Sequence, residues 1–81
     1  MKHAREDYNR IQDPAALIAK DEPVFLIRGN DRVAPDVVDT WANLAEKVGA
    51  NENIVMAARK HADLMRSWQA ENGSKVPDMP D

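Results

Sequence analysis

The chain has 81 residues, 43% of them apolar and 31% charged, with a formal net charge of −3. That balance fits one small soluble domain with a core and a wetted surface, and it excludes a disordered tail or a fibre. The absence of cysteine excludes disulfides, thiolate nucleophiles and zinc sites built on sulfur. A net acidic chain is also a poor match to the clustered positive face of nucleic-acid readers.

No apolar run, that over residues 24–27 included, approaches the roughly 20 residues needed to cross a bilayer. Residues 1–7 lack the apolar centre of a signal peptide. The expected setting is therefore the cytoplasm, with no membrane partner. No internal repeat or linker interrupts residues 1–72, which are expected to form one helical domain, with residues 73–81 as an extended tail.

In chain order, residues 2–11 could form a helix with Tyr8 and Ile11 turned inward. Asp13-Pro14 is a good cap and first-turn pair for a short helix over 15–20. Residues 24–27, Val-Phe-Leu-Ile, are compatible with a buried strand, yet no second strand is expected in the chain to satisfy its backbone groups. A short buried helical turn is expected there, and strand exchange in a dimer is the alternative. The clearest helix covers 35–48, where Val37, Val38, Trp41, Leu44, Ala45 and Val48 recur at three- and four-residue spacing. Pro35 suits its first turn, Asp36 and Asp39 complement its positive end, Lys47 its negative end, and Gly49 its stop. A second long helix is expected over 52–71, capped by Asn51 or Asn53, with Ile54, Ala58, His61, Met65 and Trp68 along one side. Asn72-Gly73 suits its stop, and Pro77 and Pro80 bar further helix.

The expected fold is thus all-α, a small bundle of four helical segments around a two-helix antiparallel core. Trp41 and Trp68, if fully buried, would each contribute on the order of 2 to 3 kcal/mol.

The inventory argues against an enzyme. Ser67 and Ser74, the only serines, lie at a helix end and in the tail, with no base in evident reach. His3 and His61 are far apart, and His61 and Asp63 would point about 200° apart around a helix, so no metal site is expected. Gly29, Gly49 and Gly73 sit singly, so no phosphate loop is formed, and no cofactor is expected.

Binding residues are easier to nominate. Tyr8, with Arg5 and Arg10 near it, is an aromatic plate beside cations, as a nucleobase with its phosphates would require; the plainer reading is a core tyrosine. Arg28 and Arg32 would share one side of a helix and could grip phosphate together, unless Asp31, Asp36 or Asp39 pairs with them. His61 is either a buried neutral imidazole or a donor to an anionic ligand. The run WANLAEKVGANENIVMAARK (41–60) carries Ala45, Gly49 and Val55 at helix-turn-helix spacing, although Glu52 at the start of the reading helix would repel phosphate.

Four segments, IQDP (11–14), DEPVFLIRGND (21–31), APDVVDTWA (34–42) and KHADLMRSWQ (60–69), together resemble a group of small proteins encoded by bacteriophages and prophages of proteobacteria. No activity comes with that resemblance. It implies a phage accessory setting in the host cytoplasm, where proteins of this size resemble counter-defence factors that sequester a nucleotide signal in a homo-oligomer or block a host protein. The leading expectation is a non-enzymatic homo-oligomer holding a phosphate-bearing nucleotide-like ligand between subunits, through Tyr8, Arg28, Arg32 and His61. The alternatives are an inhibitor of a host protein, using the acidic segment 21–50, and a helix-turn-helix regulator.

Overall fold

The computed structural model describes residues 2–5 and 13–78. Its elements, in order, are β1 (Lys2–His3), β2 (Pro23–Val24), α1 (Ala34–Lys47) and α2 (Glu52–Asn72). The protein is helical with little strand. It divides into one compact unit of residues 1–27 with 78–81 and a second of residues 28–77.

In the first unit β1 and β2 form a two-stranded parallel pair, with Lys2 opposite Pro23 and His3 opposite Val24. The Ala4 N–H donates to the Val24 carbonyl at 3.2 Å. This corrects the helical turn expected over 24–27: a partner strand exists within the chain, too short to register in a pattern search. Phe25, expected to be buried, is 73% exposed. The helix expected over 15–20 is also absent. The Asp13 carboxylate does cap, accepting from the Leu17 and Ile18 N–H groups at 3.1 and 2.9 Å. But Ala16 takes a φ of 52°, a left-handed conformation that a right-handed helix cannot contain, so the capped turn goes no further. Residues 2–5 are strand and bend rather than helix, and the remainder of the helix expected over 2–11 lies outside the described residues.

The second unit follows the sequence closely. Pro35 sits in the first turn of α1 with Asp36, Lys47 in the last turn, and Gly49 stops the chain at φ 85°. Two residues on, Asn51 caps α2 by accepting from the Asn53 N–H at 2.8 Å, and Gly73 ends it at φ 83°, donating its N–H to the Gln69 carbonyl. The segment after α2 is extended but tied down. Lys75 bridges Asp31 in parallel, its N–H donating to the Asn30 carbonyl at 2.9 Å and its carbonyl accepting from the Arg32 N–H at 2.8 Å. From α2, the Gln69 amide donates to the carbonyls of Gly29 and Asp31, both at 2.8 Å, which pins the loop leading into α1.

Among the described residues, the buried apolar ones are Ala34, Ala42, Val55 and Ala62, joined by Pro35. Three of the four are alanines, so the most deeply buried positions between α1 and α2 carry small side chains, flanked by the half-buried Val38 and Met65. Trp41 and Trp68 are not the core anchors expected from the sequence: they stand 51% and 47% exposed. The apolar stripe on each helix is wide enough to hold two rows, and the small-residue row faces the neighbouring helix while the bulky row faces outward. Each indole consequently contributes only part of its full burial energy to the fold.

Because Ala62 is wholly buried, enlarging it should cost stability. Ala62→Leu is expected to lower the unfolding free energy by about 1–3 kcal/mol, read from urea unfolding followed by far-UV circular dichroism.

Candidate interaction surface

A helix turns about 100° per residue, so the residues that touch across the seam fix where all the others lie. On α1, Val38, Ala42 and Ala45 face inward, and on α2, Val55, Ala58, Ala62, Met65 and Gln69 do so. The remaining positions separate into a polar side and an apolar side.

The polar side carries the cross-helix bonds. The Arg59 guanidinium donates to Glu46 Oε2 at 3.2 Å and to Asn43 Oδ1 at 3.1 Å. Two turns further along α2, Arg66 donates to Asp36 at 3.3 Å and to Asp63 at 3.2 Å, and to Asp39 as well. Its pKa is raised above the ordinary guanidinium value, first by the hydrogen bond to Asp39; desolvation opposes this, and the hydrogen bond to Asp36, the charge of Asp39 and the hydrogen bond to Asp63 each raise it by less. A raised basic pKa stabilises the fold at every pH below the unfolded value and is lost only as pH climbs through the folded one. For an arginine that loss falls in strong alkali, so the contribution is constant across neutral pH.

The apolar side is exposed. On α1 and its flanks, Val33, Val37, Trp41, Leu44 and Val48 form a row, each between 40% and 85% exposed. On α2, Ile54, Ala57, His61, Leu64 and Trp68 form another, all exposed. Both rows lie about 100° around their helices from the seam, in the same rotational sense. Arg59 and Arg66 meet α1 in reversed chain order, with Glu46 before Asp39 and Asp36. For two helices so ordered, equal rotations bring both rows to one side, opposite the arginines. A concavity of about 370 Å³ indents this side of α1, lined by Asp36, Val37, Thr40, Trp41 and Leu44.

Three of the four residues nominated from the sequence lie among the described residues. Tyr8 lies outside those residues. Arg28 and Arg32 sit in a loop and turns rather than a helix, so the one-turn spacing that would align them is missing. Arg32 is engaged with Ser74, its Nε donating to Ser74 Oγ at 3.4 Å, in place of the acids expected as partners. His61 is exposed, not a buried imidazole, and it sits in the middle of the apolar row. Among the described residues no group of three or more His, Cys, Asp or Glu side chains could hold a metal ion, and no helix is long and apolar enough to cross a membrane. The apolar surface was missed because a stripe of apolar residues reads as core; the signal available was its width, more than one neighbouring helix can cover.

No protein-family model, curated protein or solved structure matches the chain.

The polar side should respond to salt. Arg66→Gln is expected to lower the thermal midpoint at low ionic strength, with the deficit shrinking in about 1 M salt, where the Debye length is roughly 3 Å; melting curves of both proteins at the two salt concentrations check it.

Proposed function

We propose that this chain is a non-enzymatic binding protein that works by surface contact, through the apolar side of an antiparallel two-helix core. The observation that carries the reading is the pair of outward rows on α1 and α2, with Trp41 and Trp68 each about half exposed. A monomer rarely leaves so much contiguous apolar surface in water unless a partner covers it, and aromatic side chains are the usual anchors of contact surfaces. The resemblance of four sequence segments to small phage and prophage proteins gives the reading a setting, that of an accessory protein of the counter-defence kind in the host cytoplasm.

The other readings draw less support. Sequestering a phosphate-bearing nucleotide-like ligand with Tyr8, Arg28, Arg32 and His61 assumed a helical register at residues 28–32, which the turns there do not supply. A helix-turn-helix regulator needs its second helix to swing away from the first at about 90–120°. Here Arg66, well along α2, still bonds Asp36 and Asp39 near the start of α1, and such sustained contact leaves no separate helix to enter a groove.

Placing a photo-reactive phenylalanine analogue at position 68, on the apolar side, and in a parallel protein at position 56, on the polar side of α2, tests the reading in expressing cells. Crosslinked products are expected from position 68 and not from position 56. No product from position 68, or equal products from both, would remove the face as a binding surface.

A further inference from the structure

We infer that the apolar side of the α1–α2 pair is covered by a second copy of this chain, the two helix pairs stacking face to face as a four-helix bundle. The inference rests on the reading of that side as a binding surface and names its occupant.

The first support is the thinness of the core. Ala34, Ala42, Val55 and Ala62 are the buried apolar residues among those described, and a small domain with so few fully buried side chains gains little stability from its own core. A fold that needs covering needs it whenever the chain exists. The partner always made together with a chain is another copy of it.

The second support is spacing. Val37, Trp41, Leu44 and Val48 are separated by four, three and four residues, and Ile54, His61 and Trp68 by seven each, with Leu64 between the last two. This is the alternation by which side chains of one helix seat between those of another at a crossing angle of about 20°, the geometry of four-helix bundles. Two rows side by side, both in that spacing, fit another pair of rows in the same spacing.

Charge and area agree. A two-fold contact sets a surface against itself, so any charge at its centre would meet its own kind. Neither row contains Lys, Arg, Asp or Glu, while Arg59 and Arg66 bond on the other side. The exposed parts of the large apolar side chains amount to on the order of 800 Å² per copy, what each partner of a stable interface buries. His61 is the one polar side chain in the two rows, and a single polar position of this kind holds register at some loss of affinity.

Sedimentation equilibrium of the full chain tests this, with three variants beside it. The natural chain is expected at twice its 9.1 kDa mass. Leu64→Glu should raise the dissociation constant by roughly a hundredfold or more, as loss of a central anchor does. His61→Leu should tighten it by about 3- to 10-fold, and because it strengthens association it carries the test independently of whether Leu64→Glu still folds. Met56→Glu, on the polar side of α2, should leave the constant unchanged. A folded 9.1 kDa species at about 100 µM, or a dimer weakened as much by Met56→Glu as by Leu64→Glu, overturns the inference. If such a monomer still crosslinks to another protein from position 68, self-association alone falls; if it crosslinks to nothing, the binding surface falls with it.

Discussion

The packing of α1 against α2 along a seam centred on Ala42 and Ala62 is the constraint from which the other features follow. Ala42 and Ala62 are wholly buried and Val55 nearly so, and the row that each helix sets against the other leaves the neighbours about 100° to either side of it outside the contact. Those neighbours must turn outward. On one side they are arginines and acids that bond across the pair; on the other they are Trp41, Leu44, Leu64 and Trp68, which find nothing in the second unit to cover them.

The two sides do different physical work. Ion pairs at the surface, such as those of Arg59 and Arg66, add modest stability each, but their geometry fixes which residues of α1 and α2 lie level with one another. The apolar side adds little to the isolated fold because its side chains remain half in water, and for the same reason it keeps most of its burial energy for a partner. A small seam and a large outer surface are therefore two aspects of one arrangement: energy that a self-sufficient domain would take from its core is left for association. The loop before α1 is held from within the unit, by Gln69 and by the bridge between Asp31 and Lys75, so the start of α1 is positioned without any demand on the apolar side.

How much of this could be read from the chain depends on how local its physics is. Both long helices, the Asn51 cap, Pro35 in the first turn, Lys47 in the last, and the stops at Gly49 and Gly73 are legible because each depends on residues within a turn or two. The upstream readings failed where a distant partner or one backbone angle decided the outcome. Asp13 caps as its sequence suggests, but the left-handed Ala16 ends the turn, and Val24 is a strand because Lys2 and His3 come beside it from some twenty residues away. The site residues suffered the same way. Arg28 and Arg32 were aligned on the assumption of a helix, and the pairing of Arg32 with Ser74 joins positions whose sequence separation carries no pattern.

Periodicity by itself determined that residues 34–47 and 52–72 are amphipathic helices with defined ends, since capping, dipole and stripe are all properties of a single helix. Which half of each stripe faces the neighbouring helix is a property of the pair. Trp41 and Ala42 adjoin in sequence and are equally apolar in a pattern, but only the packed structure decides that the alanine goes inside, because close contact between two backbones favours the smaller side chain and leaves the indole to meet whatever comes from outside.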